Sequence, residues 1–221
     1  MVDLVTRRLP HRNRDRAFSF RGGVWHEYGA VMRPPRTPRA PRVIKPLDPA
    51  RLNELALAYV ARFATSAGKL TQYLKRKLHE RGWEAEGESG PDVAALIERF
   101  VAAGYVDDAG FARGRASGLR RRGFGDRRID QSLRGAGIGD DDRAAARGDE
   151  AQARRAALVL ARKRGFGPFG AARLDPAKRQ KQFAAMLRAG HPLDSVRFLI
   201  DAASEAEALE WVDEAAGDSS R

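Results

Sequence analysis

The chain has 221 residues with 41 Lys and Arg against 29 Asp and Glu, a formal charge of +12 and a sequence pI near 10.7. That length allows one or two domains, and that charge favours a polyanionic or acidic partner. The absence of cysteine excludes disulfides, thiol nucleophiles, Fe–S clusters and CxxC zinc sites, and no apolar run is long enough to span a bilayer. A soluble, cytoplasmic protein without a secretory signal is expected.

Residues 1–47 stand apart. Between Pro34 and Pro49 lie six of the 11 prolines, interleaved with Arg36, Arg39, Arg42 and Lys45. Proline fixes φ and removes a donor, so a disordered basic extension is expected rather than a helix. Upstream, Phe18, Phe20, Trp25 and Tyr28 lie among arginines. They could stack bases as a nucleic-acid arm. A dangling extension, with Met32 as an alternative start, is the reading preferred here.

From Ala50 onward the apolar residues recur every three or four positions. Leu52, Leu55, Tyr59 and Phe63 form one stripe, Leu70, Leu74 and Leu78 a second, and Val93, Leu96, Ile97, Phe100 and Val101 a third. Such stripes predict helices buried on one face. Thr65 or Ser66, Pro91-Asp92, Asp175-Pro176 and His191-Pro192 supply start signals. LKRKLHERGW (74–83), IDQSLRGAGI (129–138) and QFAAMLRAGH (182–191) each end a helix on a glycine, with Leu78, Leu133 and Met186 four residues ahead of Gly82, Gly137 and Gly190. Left-handed helix caps are expected at those glycines. LRRRGFG (119–125) and ARKRGFG (161–167) also match each other. The fold expected is all-α, with three tandem three-helix repeats at 50–104, 107–148 and 149–203 forming an elongated curved body. An acidic tail, 204–221, should prolong the last helix and fray.

Little in the chain asks for catalysis. GFGPFG (165–170) fits a Gly-x-Gly-x-x-Gly pattern, but it follows a basic helix instead of a strand, and Pro168 removes an amide that phosphate would need. Asp107-Asp108 and Asp140 to Asp142 precede apolar helices, where carboxylates cap free amides. His11, His26, His79 and His191 are scattered and suit surface or capping positions, while Trp25, Trp83 and Trp211 suit the arm, the core and the tail. No enzyme, cofactor or metal is expected.

Basic clusters are the positive signal. The first unit carries Arg76 and Lys77, and the second Arg120, Arg121, Arg122, Arg127 and Arg128, with Arg113, Arg115 and Arg134 nearby. The third carries Arg162, Lys163 and Arg164, then Lys178, Arg179 and Lys181. Any one cluster could be a solvated face suited to a helix C-terminus. Their recurrence near the RGFG turns predicts a basic band for phosphate or acidic protein.

GYVDDAGFAR (104–113) followed by RRIDQSLRGAGI (127–138) resembles the most recognisable stretch of the RecX family, and DPAKRQKQFAAMLRAGHPLDSVRFLI (175–200) resembles its last repeat. The similarity covers about residues 52–203. Ala136 stands where members often carry a basic residue before the glycine, and the helix between Phe183 and Gly190 is one residue short. The resemblance implies a negative regulator of the RecA recombinase. Such a protein would be a monomer that binds the RecA–single-stranded DNA filament, contacting the DNA directly or through RecA. It would inhibit filament extension, ATPase, recombinase and co-protease activity, in DNA repair and the SOS response. A direct DNA-binding protein using helix-turn-helix-like pairs, as a nucleoid or transcription factor, is the main alternative. A ribosome- or RNA-associated helical protein is another.

Overall fold

The computed structural model is described here for residues 45–84, 90–170 and 175–218, all within one unit, Val43–Arg221. The aromatic arm, His11, His26 and the extension up to residue 44 lie outside the described residues. Within them the protein is all-helical, with no strand beyond a single bridge between Leu47 and Trp83.

The helices run in chain order as α1 (Pro49–Val60), α2 (Ala67–Arg81), α3 (Val93–Ala102), α4 (Asp108–Arg120) and α5 (Asp126–Arg134). They continue as α6 (Asp140–Ala145), α7 (Glu150–Arg164), α8 (Pro176–Arg188), α9 (Leu193–Asp201) and α10 (Glu205–Asp218). Starts follow side-chain chemistry. Asp48, Ser66, Asp92, Asp107, Asp149 and Asp175 each accept a bond from a backbone N–H three residues on, satisfying a donor the helix leaves free. Asp108 instead reaches across to accept from the Ala67 N–H of α2 at 2.8 Å. Asp140 to Asp142 fill the first turn of α6 without a capping bond, so they act through the helix dipole, and Asp140 pairs with Arg143.

Ends follow glycine. Tyr105, Phe124, Ile138, Phe166 and His191 each donate a backbone N–H to the carbonyl five residues back, at 2.9–3.3 Å. The residue before each is a glycine with positive φ, so five ends share the Schellman turn. At Gly82, φ is positive but ψ is 174°, outside the left-handed helical region expected for it.

Three apolar clusters result. The first joins Leu52, Leu70, Leu74, Leu96 and Phe100 of α1–α3. In the second, Ala112, Ala116 and Leu119 of α4 pack with Ile129 and Leu133 of α5 and with Ile138. Ala157 and Ala161 of α7, Met186 of α8 and Val196 and Leu199 of α9 make the third, together with Ala208 and Val212 of α10. Burying each large aliphatic side chain stabilises the fold by about 1.5–3 kcal/mol, so each cluster can organise its own helices.

Several expectations need correction. Leu47, read as part of the disordered extension, is fully buried in the first cluster, and the Leu47 N–H donates to the Gly82 carbonyl at 3.0 Å. Phe63, read as part of the α1 stripe, lies beyond the helix end and is 56% exposed; Val101 is exposed too. Residues 205–218 do not prolong α9. The chain breaks at Ala202 and starts α10, which buries Ala208, Val212 and Ala215. The α10 carbonyl of Trp211 accepts from Arg154 of α7 at 2.7 Å, and the Trp211 ring stacks on Phe198.

Two joints link the clusters, and they repeat one another. The turn ending α5 sits on the start of α2: Ser66 Oγ donates to the Ala136 carbonyl at 2.6 Å, and a Cβ on Gly68 would lie 2.7 Å from the Gly137 Cα. The turn ending α8 sits in the same way on the start of α5. There the Gly125 N–H donates to the Ala189 carbonyl at 2.9 Å and the Arg127 N–H to the Gly190 carbonyl at 3.3 Å. A Cβ on Gly125 would collide with the Gly190 carbonyl. Backbone this close leaves room for glycine alone.

Candidate polyanion-binding groove

Chemistry concentrates at the joint of α5, α7 and α8. The RGFG turn after α4 delivers Arg122 and Phe124, the end of α7 delivers Lys163 and Arg164 and the matching turn after it Phe166, and α8 ends on Arg188. They line a groove of about 750 Å³, floored by Leu160, Ala185 and Ala189, that contains no carboxylate. Arg128 and Arg188 also line an adjoining groove of about 640 Å³ with Arg127, Arg134 and Asp130. Asp130 accepts from Arg143 at 2.8 Å and from Arg134 at 3.0 Å, so it offsets Arg134 and leaves Arg127, Arg128 and Arg188 as the unneutralised cations of this surface. The bond from Arg143 holds the Asp130 carboxyl below the usual carboxylate range, and the charge of Arg134 adds to this.

Geometry suits the groove to an anion. Arg122 lies over the Phe124 ring at 5.8 Å, a cation–π contact that holds the guanidinium at the groove. Cations at the end of α7 also sit at the negative end of its dipole, where they are tolerated at close spacing. Phosphate oxygens could meet the guanidinium groups, and planar groups could lie on the two phenyl rings.

Of the sequence-selected cations, the structure brings Arg122, Arg127, Arg128, Lys163 and Arg164 together. The sequence pattern does not single out Arg188; its place in the last turn of α8, where a cation suits the helix dipole, is the signal that could find it. Arg134 was read only as part of the middle cluster.

The remaining cations do other things. Arg120 is not part of an exposed band: its side chain is 13% exposed and bonds Asp126 at 2.9 Å and the Ala146 carbonyl at 2.8 Å. Arg121 points elsewhere, donating to Ser117 Oγ at 2.7 Å and lining a smaller groove with Arg155. Arg162 covers Phe169. Arg76 and Lys77 share Glu80 on α2, and the bond from Lys77 lowers the Glu80 pKa. Lys178 pairs with Asp175, Arg179 grips both carboxylate oxygens of Asp201 on α9, and Lys181 is exposed outside the groove.

Under the groove lies His191, for which the sequence suggests a surface or capping position; its backbone N–H does close the end of α8, but its ring is buried. It is 4% exposed, and its Nε2 lies 3.0 Å from the Gly123 carbonyl. Burial pushes its pKa below the ordinary imidazole value, against the bond to Gly123 and the charge of Asp126.

The described residues contain no cluster of three His, Cys, Asp or Glu able to hold a metal. In GFGPFG the Gly167 N–H donates to Gln182 Oε1 and the Gly170 N–H to the Gly167 carbonyl, so these amides are not aimed at a phosphate. No helix among the described residues is long and apolar enough to cross a membrane.

Comparison with known proteins places this architecture. The chain is 31% identical over 176 residues to the regulatory protein RecX of Myxococcus xanthus, covering 75% of this chain and 91% of that protein. The chain belongs to the RecX family. Its fold is similar to the crystal structure of RecX from Lactobacillus salivarius, with a TM-score of 0.53, 14% identity, and coverage of 74% of this chain and 96% of that one. No family model matches. As a RecX-type chain it is a regulator by kinship, and the groove is where its cations converge.

Proposed function

We propose that this protein is a negative regulator of the RecA recombinase. In this reading it binds the RecA–single-stranded DNA filament in the cytoplasm as a monomer, without cofactor or catalysis. Binding would block filament extension and with it ATP hydrolysis, strand exchange and co-protease activity. The observation that carries this is the convergence of Arg122, Arg127, Arg128, Lys163, Arg164 and Arg188 around two adjoining grooves, whose one carboxylate, Asp130, is paired with Arg134 and Arg143. Three-helix units in tandem, with boundaries near 107 and 149, would present those grooves as part of an elongated, semi-rigid curved surface able to follow a filament.

The experiment is RecA's single-stranded-DNA-dependent ATPase rate with substoichiometric protein added. Strong inhibition well below one copy per RecA supports filament binding. No inhibition at any ratio sinks it.

Direct contact with DNA is a second reading, favoured by Phe124 and Phe166 between the cations. Stacking on such rings is sequence-tolerant and suits unpaired bases. Binding to bare single strands without RecA, with a steep salt dependence, would support it.

A further inference from the structure

Three matching positions follow the glycines that end α2, α5 and α8: Trp83, Ile138 and His191. Ile138 is buried at the first joint and Trp83 packs against the first cluster. At the second joint the matching residue is an imidazole. A carbonyl can only accept, so the Nε2 facing Gly123 carries the proton. Nδ1 is then a bare lone pair, and it is buried without a partner. Gly123 lies between Arg122 and Phe124, while His191 follows Arg188 to Gly190. This side-chain bond therefore joins the backbone bonds from Gly125 and Arg127 in tying together the two turns that form opposite banks of the groove.

Burial disfavours a second proton on His191. On the α4 and α5 side lie Arg120, Asp126, Arg127 and Arg128, and Asp126 is already engaged by Arg120. The turn adds Arg122 and α8 adds Arg188; α7 carries Lys163 and Arg164, and α9 carries Asp194. Of these charges it is Asp126 that acts on the ring, and it favours the proton, so burial is what opposes it. A protonated Nδ1 would bring a buried charge and a buried donor with no acceptor in place.

We propose that His191 is a proton-sensitive latch, whose neutral ring holds the α5–α8 joint and its groove closed and whose protonation releases them. The inference rests on reading that groove as the polyanion site. The direction follows from linkage. A buried neutral histidine stabilises the closed joint fully above the ordinary imidazole value, and that stability is lost as the pH falls through it. From that value down to the lower closed-state value, the opening equilibrium rises as the pH falls. Plain electrostatics predicts no such release, because Arg and Lys stay charged throughout this range.

The test is amide hydrogen exchange on the full chain, read at the Gly125 and Arg127 amides that span the joint and corrected for intrinsic rates. Between roughly pH 7.5 and 5.5 these amides should lose protection in the natural protein. His191→Gln keeps a nitrogen donor toward Gly123 and does not titrate, so its loss should be absent. His191→Ile, which installs at the second joint the residue type of the first, gives an independent non-titrating control. Equal losses in the natural protein and these variants would overturn the latch. Adding a short oligothymidylate at the lower pH should restore protection by favouring the closed groove. A His191-dependent loss that the oligonucleotide leaves untouched would keep the latch and sink the groove as the polyanion site.

Discussion

The α2–α5 and α5–α8 joints use the same backbone device for different ends. Both seat a glycine turn on the start of the preceding unit's second helix. Around the first lies an apolar groove with Phe63, Tyr105 and Phe111, and Arg115 is its one cation. Around the second the lining is cationic, and the buried residue is a histidine instead of Ile138. Repetition sets how the units stack, while the side chains at one joint set what that joint can bind. The two joints should therefore fail differently when altered.

The largest expected effect is steric. Gly68→Val forces a side chain onto the Ala136 carbonyl and Gly137 Cα, both backbone atoms less than 3 Å away. Backbone cannot yield as a flexible side chain can, so the cost should exceed about 3 kcal/mol in urea unfolding. A smaller loss would mean the first joint is looser than described.

Next comes Arg120, a cation beside the groove that serves structure. Arg120→Met should cost about 1–3 kcal/mol in the same assay, since it leaves Asp126 and the Ala146 carbonyl short of a partner. Salt-dependent binding to single strands should keep its slope. A reduced slope with unchanged stability would return Arg120 to the binding surface.

Arg128→Ala with Arg188→Ala reverses that pattern. Both side chains are exposed, so stability should change by no more than about 0.5 kcal/mol. If both meet phosphate, the slope of log affinity against log salt should fall by about 1.4. The smallest effect is expected for Arg76→Ala on α2. Its pair with Glu80 is exposed, so neither unfolding nor the salt slope should change resolvably.

Sequence periodicity made the helices, their starts and the glycine ends legible, because these depend on local chemistry. Ser66 and Asp175 cap where the pattern put them. Burial across distance was harder to read. Leu47 follows five prolines and looks extended, yet its partner is the chain at Gly82 and Trp83. The acidic residues of α10 masked the Ala208, Val212 and Ala215 face that holds it to the third cluster. For the groove, sequence gave the right residue type but not its partners. Arg120, Arg121 and Arg122 are adjacent in the chain and point to an internal bond, a side groove and the main groove respectively. His191 looked like a turn residue because nothing local reveals that Gly123 covers it.

The central claim is that the cations at the α5–α8 joint confer regulation of RecA. Its most direct test is inhibition of RecA's single-stranded-DNA-dependent ATPase by two double variants, Arg128→Ala/Arg188→Ala and Arg76→Ala/Lys77→Ala. The account predicts at least about tenfold more of the first variant to reach half-inhibition, consistent with losing two charge-assisted contacts, and no change for the second. Equal inhibition by both variants, at the potency of the natural protein, would contradict it.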